Sequence, residues 1–174
     1  MSKGKAFLIV CLTLFIGVVV WIVSTVRTHG FSAREEPSSI ETFLARHVRD
    51  LAIPTGVGNM KNPLPVTPLA VAEGRDHFAD HCAVCHANNG SGHTEMGGNM
   101  YPPAPDMRQR DTQSMSDGAL FYVIKEGVRF TGMPGWGGED EDNWKLVLFI
   151  RHLPDLSDKE LELMKEVNGQ GPEK

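Results

Sequence analysis

The chain has 174 residues, 41% of them hydrophobic and 22% charged, with 22 Asp and Glu against 17 Lys and Arg and a net charge of −5. That length holds one ordinary domain of about 100–150 residues plus appendages. The acidic balance excludes the basic surface that a nucleic-acid binder presents.

The first element is the stretch from Ala6 to Val26, AFLIVCLTLFIGVVVWIVSTV, which carries no charged residue. As a helix it spans about 30 Å, enough to cross a bilayer once. A secretory signal peptide is the rival reading. Its apolar region usually runs to only about 7–15 residues, and no Ala-x-Ala-like cleavage site follows Val26, so an uncleaved transmembrane anchor is expected. Lys3 and Lys5 precede the span, whereas Arg27 and Arg34 beyond it are accompanied by Glu35 and Glu36. The positive-inside bias therefore places residues 1–5 in the cytoplasm, the anchor 6–26 in the inner membrane and the rest on the periplasmic side. Cys11 lies inside the span as a small hydrophobe. Leu8, Ile9 and Val10 before it lack the small residue expected ahead of a lipoprotein cysteine.

Residues 27–67 read as a linker that contains one short amphipathic helix. Ile40, Phe43, Leu44, Val48 and Leu51 recur at helical spacing, Ser38 and Glu41 form a capping box, and Pro54 ends the run. A helix over about 39–52 follows. It either packs on its own domain or forms a docking surface for a partner or the membrane face. The run TGVGNMKNPLPVT, 55–67, lacks apolar periodicity and is expected to lie extended. Thr67 and Pro68 supply an N-cap and a first-turn proline for a helix from Pro68 to about His81.

Seven glycines and prolines between Asn88 and Arg110 exclude a long regular element there and predict an irregular wrapping loop. Ser116 caps a helix over about Asp117–Glu126, closed by Gly127 in a left-handed conformation. A glycine-rich loop, Thr131–Gly138, leads to a helix over about Glu139–His152, whose Trp144, Val147, Leu148 and Phe149 offer a broad apolar face and which Pro154 stops. Ser157 and Glu160 form a second capping box before a helix from Asp158 to about Val167 and a polar tail, within a C-terminal segment 154–174. No strand alternation or hairpin signal occurs, so the fold class is all-α and loop-rich.

The residues that carry chemistry are Cys82-Ala83-Val84-Cys85-His86, the C-x-x-C-H pattern of covalent haem attachment. Two thiols three positions apart at a helix start can add to the two vinyl groups on one porphyrin edge, and the next residue then supplies a ring nitrogen to the iron. A zinc site would need His77, His81 or His93 to complete four ligands in place of a second cysteine pair. A redox dithiol needs a βαβ context that the helical pattern does not offer. A structural disulfide between the two thiols is disfavoured by the adjacent histidine. The iron needs a sixth ligand or an open site, with His93, Met96, Met100, Met107 and Met133 as candidates. Met133 is selected by its setting, Thr131-Gly132-Met133-Pro134-Gly135-Trp136, whose glycines let backbone approach a flat cofactor and whose proline limits alternatives.

In this ordered set the chain resembles the class I, mitochondrial-type, monohaem cytochromes c, especially the membrane-anchored bacterial members. The resemblance covers Pro68 to Leu153 and rests on Gly74 and Phe78, the Cys82–His86 motif, Ala104-Pro105-Asp106-Met107, Gly132-Met133-Pro134 and the aromatic helix around Trp144. It implies a small helical haem domain over 68–153, preceded by the single N-terminal transmembrane helix. Gly74 and Phe78 would lie where the first domain helix crosses the last, near Trp144 and Leu148. The carbonyl of Pro105, with Pro102 and Pro103 as alternatives, would accept a hydrogen bond from His86.

One haem c, attached through Cys82 and Cys85 and held between His86 and Met133, would leave no place for a small-molecule substrate. The implied work is outer-sphere electron transfer between a redox protein donor and acceptor, without a catalytic residue, in or beside a respiratory or photosynthetic membrane complex. A free-standing anchored shuttle and an open-site haem protein are the alternatives. The run Glu139-Asp140-Glu141-Asp142 suits either a helix dipole or a basic partner, and the dipole role takes precedence.

Overall fold

The structure, a computed structural model, describes residues 2–30 and 32–169. Met1, Phe31 and the polar tail expected from residue 170 onward lie outside the described residues. The chain forms two units, Met1–Ala33 and Arg34–Lys174. Among the described residues every regular element is helical.

The first unit is one helix, α1 (Lys3–His29), of 27 residues or about 40 Å. It contains the predicted apolar span and buries none of it. Its threonine hydroxyls are satisfied within the helix: Thr13 donates to the Ile9 carbonyl at 2.6 Å and Thr25 to that of Trp21 at 2.9 Å. The helix is long and apolar enough to cross a membrane, as an anchor or as a signal segment.

The second unit begins with α2 (Ser39–Ala52), where both halves of the Ser38–Glu41 capping box are made. Residues expected to run extended then fold back on the domain. A helical turn, α3 (Thr55–Gly58), precedes Asn62, whose amide donates to the Trp144 carbonyl at 2.9 Å, and Leu64 packs on the core. Sequence periodicity is blind to so short an element. The helix expected over 68–81 is two elements, α4 (Pro68–His77) and a π-helical turn, Phe78–Cys82, that runs into α5 (Ala83–His86). The wrapping loop carries two single turns, α6 (Glu95–Gly98) and α7 (Arg110–Gln113). The remaining helices are α8 (Asp117–Glu126), α9 (Asp140–His152), a 3₁₀ turn at Leu153–Asp155, and α10 (Asp158–Asn168).

The core forms where α4 crosses α9, with α8 and α10 closing it. Phe78, Val147, Phe149, Leu153 and Met164 are fully buried, and the Phe78 and Phe149 rings lie 5.2 Å apart. Gly74 is the point of closest approach. A Cβ there would collide with the Lys145 carbonyl oxygen and meet the Phe149 Cβ at 3.2 Å. The crossing thus occurs as expected, but over Lys145 and Phe149, whereas Trp144 stacks on Phe121 at 4.2 Å. One turn separates Lys145 from Phe149, so glycine seats its backbone against that turn. Gly127 has a positive φ of 71° with ψ −171°, an extended conformation open to glycine, in place of the expected left-handed helical one.

Candidate functional site

The site grows from the π turn. Its extra residue shifts the register of positions after it relative to α4. Ala83, His86 and Ala87 are buried while both thiols keep partial exposure. The carbonyls at the end of α5 are then satisfied one by one, as helix ends require. The Ala87 N–H donates to Ala83 at 2.8 Å, the Thr94 hydroxyl to Val84 at 2.8 Å and to Cys85 at 3.2 Å, and the Gly92 N–H to His86 at 2.9 Å. Side chains at Gly92 and Gly97 would strike backbone oxygens, of Ala104 in the first case and of Cys85 in the second. The glycines of the wrapping loop therefore let it close directly on the motif.

His86 is 6% exposed, and its Nδ1 is buried with no partner in hydrogen-bonding geometry. Burial pushes the imidazole below its ordinary pKa, against the opposing influence of the nearby Pro105 carbonyl, so the ring is neutral at pH 7. Neutral imidazole is the ligating form. Burial, with Cys85 nearby, pushes the Cys82 thiol up to about 12, and burial raises that of Cys85. Thiols raised in this way are unlike the depressed, thiolate-forming pairs of redox dithiols. Among the described residues no three His, Cys, Asp or Glu side chains gather as metal ligands, so the zinc reading has no ligand set.

The Met133 loop is folded back on the end of α8. The Val128 N–H donates to the Met133 carbonyl at 3.1 Å, Trp136 to Ile124 at 3.2 Å and Gly137 to Lys125 at 2.9 Å. The Thr131 hydroxyl accepts from the Met133 N–H at 3.1 Å. A Cβ on Gly127 would lie 2.8 Å from the Met133 oxygen, so glycine is required at that contact. Met133 is half-buried. Among the other candidates, Met96 and His93 are exposed and Met107 packs against the core. Met100 lies against Gly132, next to Met133 in sequence. Pro105 sits in a segment fixed by Asp106, which accepts from the Arg108 guanidinium at 2.9 and 2.8 Å. That pairing brings the Asp106 carboxyl down to about 2. Tyr101–Pro102 is a cis peptide.

Sequence reasoning passed over Thr94, and it named Met100 only as one of several candidate ligands. The Thr94-Glu95 pair carries a weak capping signal, since Thr94 also accepts from the Gly97 N–H at 2.8 Å, but nothing local reveals the tertiary carbonyls it caps. The acidic run is largely engaged at home. Asp140 pairs with Lys125, and Lys145 lies 2.9 Å from both Glu141 and Glu73.

Residues 69–150, which include the motif, Pro105 and Met133, match the family described as cytochrome c oxidase, cbb3-type, subunit III. The chain is also 32% identical over 93 residues to a thiosulfate dehydrogenase of Stutzerimonas stutzeri (strain A1501), a match covering 51% of this chain and 29% of that protein. The chain thus spans less than a third of that relative's length. The matched segment, all-helical and holding the cysteine pair and the buried histidine, is similar to a cytochrome c domain, and a domain of that kind implies haem c and electron transfer.

Proposed function

We propose that the chain is a membrane-anchored monohaem electron carrier, with thioether links at Cys82 and Cys85 and axial ligation by His86 and Met133, acting as a subunit or close partner of a respiratory or photosynthetic electron-transport complex. The observation that carries this reading is His86, buried directly after the two cysteines and beside the Pro105 carbonyl. In the proposed site the Pro105 carbonyl accepts from that nitrogen, fixing the ring's tautomer and raising its basicity as a ligand. The Met133 loop is held to Val128 through the Met133 carbonyl and to α8 through Trp136 and Gly137, which suits a ligand that must hold its place through oxidation and reduction. His86 and Met133 would hold the iron of haem c, which would supply a one-electron couple there.

Along the chain we assign residues 1–5 to the cytoplasm, 6–26 to the anchor, 27–67 to a connector, 68–153 to the haem domain on the periplasmic side and 154–174 to a short helix and tail. The matched family, described as an oxidase subunit, supports subunit over lone shuttle. A mild-detergent purification tests this: stoichiometric partners are expected, and a lone monomer would favour the shuttle.

Ligation is tested by replacing Met133 with Ala, which abolishes the weak long-wavelength charge-transfer band of methionine-ligated ferric haem. Met100→Ala leaves the band in place. The reverse pattern transfers the assignment to Met100. The name of the curated relative motivates a second reading, an oxidoreductase that takes electrons from thiosulfate. Reduction of the purified ferric protein by thiosulfate alone would establish it, and an unchanged ferric spectrum would exclude it.

A further inference from the structure

Helix α2 is mounted with its amphipathic faces reversed. At 100° per residue, Ile40, Phe43, Leu44, Val48 and Leu51 fall in one arc, with His47 among them. All five apolar side chains are open, from 55% at Leu44 to 86% at Leu51. The contacts to the haem domain come instead from polar residues: Arg46 pairs with Asp111 at 2.6 Å, and Glu41 bonds the Tyr101 hydroxyl. Arg34, just upstream, donates to Asn99 at 3.3 Å. Thr42 and Arg49, on the side opposite the apolar row, are half-buried. These few contacts thus fall on the polar side, and the apolar row stays outward.

We propose that this apolar row lies in the headgroup boundary of the bilayer that α1 crosses, making α2 an in-plane membrane helix that sets the pose of the haem domain. The inference rests on the reading of α1 as an anchor. Two observations select lipid as the occupant. First, residues 30–38 alone separate α1 from α2, a stretch that reaches at most about 30 Å, so the anchored chain keeps α2 close to the membrane surface. Second, the row is one helix wide and 14 residues long, a strip of about 20 by 10 Å. An interfacial helix needs only such an apolar face.

The test uses the full-length haem-loaded chain, with Cys11→Ala as background, in vesicles of equimolar phosphatidylcholine and phosphatidylglycerol. Spin labels are placed singly at Leu44→Cys, Leu51→Cys and, on the polar side, Ala45→Cys, and flotation is measured before accessibility to oxygen and to a water-soluble nickel chelate. The chain is expected to float, with the labels at 44 and 51 about 5–10 Å below the headgroup level and the label at 45 in water. A floating chain whose labels at 44 and 51 are open to the nickel chelate overturns the in-plane helix and leaves the anchor standing. A floating chain whose labels are shielded from both reagents overturns it in favour of a protein occupant, a second copy included. A chain that fails to float removes the anchor and this inference with it.

Discussion

His86 illustrates how a single buried residue can report on a cofactor. Its burial lowers the ring's proton affinity, and the Pro105 carbonyl beside it opposes that shift. Replacing either Cys82 or Cys85 by Ser is expected to leave one thioether, so that haem stays attached in each single variant and is fully extracted by acidified solvent only from the double variant. Asp106 makes a prediction about pH. Its folded pKa, about 2, lies below the unfolded value near 3.9 because Arg108 bonds the carboxylate. Its contribution is therefore fully present above about pH 4 and is lost as pH falls through about 2. Asp106→Asn is expected to cost about 1–2 kcal/mol at pH 7 by denaturant unfolding, with the difference from the parent vanishing between pH 4 and pH 2. A constant difference across that range would show that the carboxylate's charge is not what holds the segment. At this scale the Cys82–His86 motif was legible because its chemistry is local. Thr94 was not, nor was the seat of Met100 against Gly132, because what they touch is brought to them by tertiary folding.

Helix boundaries were legible wherever a cap announces them. Ser38, Thr67, Ser116 and Ser157 each accept from the N–H expected, and four helices begin where those residues predict. The π turn at Phe78–Cys82 was hidden, since one inserted residue in a helix leaves periodicity over so short a window almost unchanged. The turn at Thr55–Gly58 was hidden for a related reason: it is held by Ser116, whose hydroxyl donates to the Gly58 carbonyl at 2.6 Å, and by the Met60 carbonyl accepting from Gly118 at 3.1 Å. The crossing of α4 with α9 yields a test at Gly74. Ala is the better helix former by about 1 kcal/mol. Gly74→Ala is nevertheless expected to destabilise by about 1–3 kcal/mol, because its methyl group meets backbone at Lys145. An unchanged or raised denaturation midpoint would mean that the helices separate there without cost. Arg151 joins α9 to the start of α8 through Asp117 at 2.8 Å and the Gln113 carbonyl at 2.7 Å. Arg151→Met is expected to lose about 2–3 kcal/mol by leaving those half-buried acceptors unpaired, measured by the same unfolding titration.

In the second unit, one crossing, α4 over α9, carries the motif helix, and the wrapping loop of Gly92 and Gly97 closes on it. The all-α class was legible because the helical periods and caps are continuous and no alternating pattern interrupts them. The apolar segment was legible from length and charge alone. The direction in which α2 turns its faces was not, because periodicity defines an apolar stripe without saying which side the domain will hold. The central claim is that Cys82, Cys85 and His86 form the covalent seat of one haem. Intact-mass measurement of the denatured full chain, produced in a host that matures c-type cytochromes, tests it most directly. A single haem adduct mapping to the peptide that contains Cys82 and Cys85 is the predicted result. A chain of bare polypeptide mass, with both thiols free to be alkylated, would contradict it.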